Sequence, residues 1–170
     1  NTAFGHMAGG LLQYGSSNTF FGNQSGQAIV NGSRNIAIGN IALHSLTSGS
    51  ENTAIGSAAG WGNTSGSLNV FIGYQAGYGE TGSNKLYISS GGGAWDESAS
   101  RYISRNLVTG DFSTGDLSLG QTSGTVSILN DADIDGTLET DALSINGTTV
   151  TSTAAELNIL DGVTASATDI

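Results

Sequence analysis

The sequence predicts an all-β protein, a parallel β-roll or β-solenoid of 17-residue coils followed by short β-strands and a short C-terminal helix. Three observations predict this fold. A five-residue motif recurs at constant spacing, glycine is abundant (27 of 170 residues), and only 11% of residues are charged, against about 25% in ordinary globular chains. Abundant glycine with low charge is typical of turn-rich β-structure or of disorder. The regularly placed apolar residues, 37% of the chain, favour β-structure.

The motif is Asn-Thr-Ala-Ile-Gly and its variants, and its copies follow one another at a constant step along the chain. We interpret its first and last positions as structural. The ten residues in these two columns are Asn1, Asn18, Asn35, Asn52, Asn69, Gly5, Gly22, Gly39, Gly56 and Gly73. The β-branched and apolar residues between them suit a strand, and glycine in a fixed column suits a tight corner.

A 17-residue period suits one coil with two short strands and two turns. It is too short for the common helical repeats. Five coils stacked at the usual interstrand spacing would span roughly 24 Å. We expect the second strand to weaken in the fourth coil, where 62–64 reads Gly-Asn-Thr. A sixth copy at Asn84 follows Asn69 after a shorter step and lacks the glycine, so we place the roll at 1–88 with an atypical last unit.

Both faces of the predicted strand are apolar. Successive strand side chains point to opposite faces. The third motif column holds alanine and phenylalanine, and the fourth holds phenylalanine and isoleucine. A coil has a single interior, so one of the two faces needs another cover. Either a neighbouring segment of the same chain or a partner chain provides it, and we favour packing between chains, because few residues remain for a cover.

The remainder of the chain divides into three predicted segments. Residues 89–105 form a linker or excursion, and 106–150 form an acidic region of strands and hairpins. Alternation in Asp116-Leu117-Ser118-Leu119 predicts a strand, and Asn146-Gly147 between strand-like flanks predicts a hairpin. Residues 151–170 contain a short helix within a 13-residue repeat, which we expect to continue in a parent chain.

Charge argues against nucleic acid as a partner. Residues 1–83 carry one cation against two acids, and residues 84–170 carry three cations against twelve acids, which gives the net charge of −10. Phosphate binding needs a basic surface, which neither half offers. No run of about 18 apolar residues is present, so we expect no membrane insertion. With no cysteine in the chain, disulfides and thiol chemistry are excluded.

The sequence contains one weak candidate for a metal site. Asp131, Asp133 and Asp135 imitate the start of a calcium-binding loop, but the twelfth position, which should be glutamate, is Ala142. We therefore favour a strand with three solvated aspartates and predict neither metal nor cofactor. A pair of carboxylates for glycan cleavage is also missing from the roll, where Glu51 and Glu80 lie in different columns. We expect no enzyme and assign no catalytic residue.

The tenth column of the repeat is the most variable and holds the candidates for surface recognition. Its five members are Gly10, Gln27, His44, Trp61 and Tyr78. Variable residues on a rigid scaffold are where recognition can lie, and Trp61 and Tyr78 would suit stacking on sugar rings. The alternative, which we favour, is packing at a seam between chains, because large aromatic side chains usually serve as buried bulk.

Several segments resemble known fibre proteins. Asn52–Gly60 resembles the head repeats of trimeric autotransporter adhesins and, more closely, the repeats of bacteriophage tail-fibre proteins. Asn84–Ile88 and Asn106–Phe112 resemble the segment that follows such repeats in tail fibres, and Thr153–Val163 is similar to a repeat of marine phage fibres. The resemblance implies an intertwined homotrimer in the virion, extracellular, with other tail or fibre proteins as partners and a host cell-surface glycan as a possible target.

Two functions follow as expectations. The first is a rigid trimeric shaft of a phage tail fibre that positions host-receptor binding. The second is the head of a bacterial trimeric surface adhesin. An adhesin parent should carry a signal peptide and a C-terminal membrane anchor, whereas a fibre parent should have neither. The acidic C-terminal region with its 13-residue repeat favours the fibre.

Overall fold

The computed structural model describes most of the chain up to residue 120. The described residues are 1–91, 94–96, 101–103, 106–120, 126, 144–145 and 148–149. They contain twelve strands and no helix. The chain separates into two compact units, Asn1–Ser127 and Ile128–Ile170.

The first unit is built around a single eight-stranded sheet. Its strands are β1 (Thr2–Phe4), β2 (Thr19–Phe21), β3 (Ile36–Ile38), β4 (Thr53–Ile55), β5 (Val70–Ile72), β6 (Lys85–Ser89), β9 (Asn106–Asp111) and β10 (Asp116–Leu119), adjacent in that order. Neighbouring strands from β1 to β6 are parallel, and those from β6 to β10 are antiparallel.

The parallel strands pair in the register that the repeat predicts. Ala3 pairs with Phe20, which pairs in turn with Ala37, so each residue lies beside its equivalent in the next coil. The same register continues to Phe71 and, across the shortened unit, to Tyr87. The predicted parallel β-solenoid of about five 17-residue coils is therefore confirmed.

Each coil has one strand instead of the two that we predicted. The second half of each coil is a series of tight turns, because several of its residues adopt positive φ, among them Gln24 (54°), Gly26 (58°) and Arg34 (57°). This segment still donates hydrogen bonds to the next coil, as from Gly26 N–H to Ala42 O at 2.8 Å. The coils are therefore joined on more than one side, without a second extended strand.

The interior of the solenoid is narrow, and its large side chains lie against small residues of neighbouring columns. Phe20 and Phe71 point inward and are completely or almost completely buried. A Cβ added to Gly26 would lie 2.5 Å from the Phe20 ring, and one added to Gly77 would lie 2.3 Å from the Phe71 ring. Where the inward residue is the smaller Ala37, the ninth column holds Leu43 in place of glycine, and Leu43 is fully buried.

One core column contains a polar residue where its other members are apolar, and this polar residue is hydrogen bonded. Buried Ile29 and Leu46 belong to a column that continues as Asn63, which is also fully buried. Asn63 Oδ1 accepts a hydrogen bond from Gly66 N–H at 2.7 Å, and its Nδ2 donates to Gly82 O at 3.1 Å. Hydrogen bonding offsets the cost of burying this amide.

A buried ladder of asparagines joins consecutive coils. Asn18, Asn35, Asn52 and Asn69 are no more than 1% exposed. Each Oδ1 accepts the backbone N–H at the start of the next motif, as from Asn52 to Asn35 at 3.0 Å. Each Nδ2 also donates to a glycine carbonyl near the end of its own coil. The asparagine column of the repeat therefore pairs buried backbone groups that the strands leave free.

Two antiparallel strands close the C-terminal end of the parallel run. Tyr87 stands beneath Phe71, at a centroid distance of 5.9 Å, and its hydroxyl donates to Glu80 Oε2 at 2.6 Å. Lys85 on β6 forms a salt bridge with Asp111 on β9. The predicted atypical unit at Asn84 thus contains the last parallel strand, β6. The edge of β6 that faces away from β5 pairs with β9.

We call Glu80, Lys85, Tyr87 and Asp111 the closing cluster. Ionisation of its two carboxylates makes its stability depend on pH. The hydrogen bond from Lys85, and to a smaller extent those from Ser113, hold the pKa of Asp111 well below its ordinary range. Partial burial raises the pKa of Glu80, but hydrogen bonds from Tyr87, Gly82 and Thr81 and the Lys85 charge outweigh it and lower the pKa. Carboxylates with lowered folded-state pKa values stabilise the folded state above about pH 4, and this stabilisation is lost as pH falls through the folded pKa.

We therefore expect Asp111→Asn to loosen β9 at neutral pH and to remove much of the acid sensitivity of its attachment. Protection of the Phe112 amide, which donates to Asn84 O at 2.7 Å, reports that attachment in hydrogen exchange. Asp116→Asn is the matched control, because this exposed carboxylate bonds to Thr114 within the turn. Equal protection of Phe112 in both variants at pH 7 would contradict the role of the Lys85 pair.

The remaining strands form two separate hairpins. Within the predicted excursion, β7 (Ala94–Asp96) pairs antiparallel with β8 (Arg101–Ile103). In the second unit, β11 (Ser144–Ile145) pairs antiparallel with β12 (Thr148–Thr149), as predicted for the strands flanking the Asn-Gly pair. The predicted C-terminal helix and 13-residue repeat lie outside the described residues.

Candidate functional site: the outer face of the sheet

The outer face of the eight-stranded sheet is the candidate functional site. In each coil the third motif residue points inward and the fourth outward, as in buried Ala54 and exposed Ile55. The second motif residue shares the outward face with the fourth, because strand side chains alternate. Two parallel columns of outward side chains therefore run along the solenoid.

The apolar members of these columns form a surface that we call the outer stripe, and Thr2, Thr19 and Thr53 interrupt it in the second column. Its members are Phe4, Phe21, Ile36, Ile38, Ile55, Val70, Ile72, Leu86, Ile88, Val108, Leu117 and Leu119. At its N-terminal end Phe4 and Phe21 stack, with ring centroids 5.0 Å apart. None of the outward positions that share these two columns on the eight strands carries a charge.

The outer stripe is large for an exposed apolar surface. Eight strands at the usual spacing extend it over roughly 34 Å. Eight of its side chains are between 37% and 67% exposed. At roughly 180 Å² for each large side chain they present on the order of 700 Å². Exposed apolar patches of this size mark interaction sites, and each partner of a standard stable complex buries about 800 Å².

The two recognition candidates of the tenth column belong to an aromatic stack. The rings of Trp61 and Tyr78 lie 5.0 Å apart with an interplanar angle of 7°. His44, one coil earlier, lies 6.3 Å from Trp61 on its other side. The flat faces of the indole are therefore directed at neighbouring rings, and its edge is what it offers to solvent. This geometry disfavours sugar stacking at Trp61, whose ring partners belong to the same chain, and the packing at a seam between chains stays a prediction.

The other chemical candidates are dispersed. Asp131, Asp133 and Asp135 lie outside the described residues. Glu51 forms a salt bridge with Arg34 at 2.5 Å, and Glu80 is held by Tyr87. His6 contacts Asn23 at 3.3 Å, two columns away from the outer stripe. Within the part of the chain that the structure describes, no three His, Cys, Asp or Glu side chains are grouped to hold a metal ion.

No protein-family model, curated protein or solved structure matches this chain. No helix among the described residues has the length and hydropathy to cross a membrane. The candidate site therefore depends on its own geometry: a long, uncharged and largely apolar sheet face.

Part of this surface was predictable from the sequence, and its extension onto β9 and β10 was not. One of the two apolar strand faces was predicted to need a second cover, and the structure shows that it is the face of the fourth motif column, which is exposed from Phe4 to Ile72. The contribution of Leu117 and Leu119 was missed. Their alternation with polar residues predicted a strand, but it gave no indication of which sheet the strand joins or which face its leucines share.

Proposed function

We propose that this chain is a structural, non-enzymatic segment of a bacteriophage tail fibre. Three copies pack through the outer stripe and form a rigid shaft in the virion that positions host-receptor binding. The outer stripe is the observation that carries the proposal. An apolar face that runs parallel to the coil axis buries itself when identical faces meet around a common axis.

The shape of the solenoid supports a shaft. Its coils are joined by the strand ladder, by the buried asparagines and by further backbone bonds in the turns. Close glycine packing leaves little room for bending, since a Cβ at Gly22 would lie 2.5 Å from Gly39 O in the next coil. A stack that resists bending holds its two ends in a fixed position relative to each other.

The number three comes from the resemblance of the repeats to tail-fibre and adhesin repeats. Light scattering of the purified chain tests it directly. We expect an assembly of three times the chain mass of 17.1 kDa. A stable monomer of unchanged mass at micromolar concentration would overturn the proposal. Detection of the chain in purified virions by mass spectrometry would separate the fibre from the bacterial adhesin alternative.

We expect Ile55→Glu to dissociate the trimer while leaving the solenoid folded. The side chain is 40% exposed in the single chain, so the fold tolerates a charge there, whereas a seam of three stripes would bury three carboxylates. Light scattering should report the monomer mass, and circular dichroism should be unchanged.

Ser65→Glu is the matched control, because it adds the same charge to an exposed turn of the same coil. Retention of the trimer by Ile55→Glu, or its loss in Ser65→Glu, would show that the outer stripe is not the seam.

A further inference from the structure

Asn31 differs from the other asparagines of the solenoid because its side-chain amide is unbonded. The other eight asparagines in residues 1–83 all have hydrogen-bonded side chains, as where Asn40 Nδ2 donates to Asn23 Oδ1 at 3.0 Å. Asn31 is exposed, and its side chain has no hydrogen-bond partner among the described residues. Its amide carbon is therefore free to turn towards the backbone that follows.

The backbone amide that follows Asn31 is unbonded as well. Gly32 N–H donates to no acceptor among the residues that the structure describes. By contrast, the amide that follows exposed Asn23 belongs to Gln24 and donates to His6 O at 2.8 Å. Glycine also has no side chain to obstruct the approach of a neighbouring group to its nitrogen. An unbonded amide carbon and an unbonded backbone nitrogen are thus adjacent in the chain.

We propose that Asn31 is a site of spontaneous deamidation. The Gly32 nitrogen loses its proton to a solvent base and attacks Asn31 Cγ, so that a new C–N bond closes a succinimide ring. The bond from Cγ to the side-chain nitrogen breaks, and this nitrogen takes up a proton and leaves as ammonia. Water then opens the ring at either carbonyl, which yields an aspartate or an isoaspartate.

The isoaspartate product would disturb the contact between the second and third coils. It carries the main chain through the former side chain and thereby adds a carbon atom ahead of Gly32. The backbone at Gly32 has no space for it, because even a Cβ there would lie 2.3 Å from Gly49 O in the third coil. Gly32 O also accepts a hydrogen bond from buried Asn18 Nδ2 at 2.8 Å. A shift of this backbone would therefore weaken both the coil stack and the asparagine ladder.

The surroundings of Asn31 set the expected rate. Gly32 is buried, so solvent base reaches its nitrogen less often than in the unfolded chain, and the folded chain should react more slowly than the chain in urea. At Asn23 and Asn40 a bonded nitrogen and a larger following side chain oppose the reaction. Asn31 should therefore react faster than both in the folded chain. The rate should rise with pH, because the deprotonated amide is the attacking species.

Incubation of the full chain at mildly alkaline pH tests the proposal. Peptide mass spectrometry at successive times measures replacement of the amide by a carboxyl group at each asparagine, and isoaspartyl methyltransferase detects the isoaspartate. Peptides are measured because Asn146-Gly147 is a second Asn-Gly pair. Asn31→Ser is the matched variant, since serine occupies the same column at Ser48 and Ser65. Asn31 lies outside the outer stripe, so neither outcome bears on the proposed function.

We expect several-fold faster modification of Asn31 than of Asn23 and Asn40 in the folded chain. The aged chain should unfold at a lower urea concentration than the fresh chain, whereas ageing should leave the urea midpoint of Asn31→Ser unchanged. Modification of Asn31 no faster than that of Asn23 and Asn40, with rapid reaction only in urea, would overturn the proposal, since the fold would then protect the site. An equal loss of stability when Asn31→Ser is aged would overturn the assigned effect on the coil stack.

Discussion

Gly39→Ala is expected to separate the third coil from the fourth and to prevent stable folding of the solenoid. Gly39 has φ of 136°, a backbone conformation that favours glycine. A Cβ there would lie 2.5 Å from Gly56 O and 2.6 Å from Gly56 C. Both atoms belong to the backbone of the next coil, so no side-chain rotation relieves the contact. Backbone strain and overpacking together should cost about 3–6 kcal/mol, measured by urea denaturation.

Gly79→Ala is the matched control for this substitution. A Cβ at Gly79 would meet no atom within 4 Å. Its φ is not among the positive values of the chain. We expect a change of about 0.5 kcal/mol or less. If the two variants had similar urea midpoints, the glycine column would not be required for coil stacking.

Asn52→Asp is expected to be the second most damaging substitution. Asn52 Nδ2 donates to Gly66 O at 2.9 Å and to Asn35 Oδ1 at 3.0 Å, while its Oδ1 accepts from Asn69 N–H at 3.1 Å. An aspartate keeps the acceptor and loses both donors, so a carboxylate oxygen would face two other oxygens in a fully buried site. An unpaired buried charge and an orphaned carbonyl should cost about 3–5 kcal/mol at pH 7.

Acid should partly rescue this variant, which gives the prediction a second measurement. Burial without a cation raises the folded-state pKa of the introduced carboxyl above its unfolded value. The penalty is therefore present at neutral pH and is lost as pH falls through the raised pKa, when the protonated group again donates to Gly66 O. Asn40→Asp is the control: this exposed asparagine donates to Asn23 at 3.0 Å, and its replacement should change stability by less than about 0.5 kcal/mol.

A penalty for Asn52→Asp that did not diminish in acid would show that packing, and not the lost donor, accounts for it. Such a result would remove the hydrogen-bonding role assigned to the asparagine column. The acid response of the closing cluster has the opposite sign, because the pKa of Asp111 is lowered and not raised.

Regular columns explain why so much of the solenoid was predictable. A 17-residue repeat places chemically equivalent residues beside each other in the stack, so the asparagine and glycine columns mark positions with the same environment in every coil. Alternation within the strand then identified two opposite faces, one containing Phe20 and the other Phe21. One of the two faces was predicted to be buried within the coil, and the structure shows that it is the face that contains Phe20.

Irregular parts of each coil were predicted less well. The 17-residue period suggested a second strand in each coil, although Ile29, in the second half of its coil, is a buried residue within a series of turns. Several turn residues with positive φ, such as Gln24 and Arg34, are of types that seldom adopt it. Nothing in their identity indicated that conformation, since the stacking of coils imposes it.

The sequence by itself determined the coil length, the strand in each coil and the presence of two apolar strand faces, because these depend on periodicity and side-chain alternation. Only the tertiary structure decided that β9 and β10 continue the sheet, that Leu117 and Leu119 join the outer stripe, and that Trp61 is stacked between two rings. These features depend on which strands pair and in what register. Pairing between segments that share no repeat is set by contacts across the folded chain.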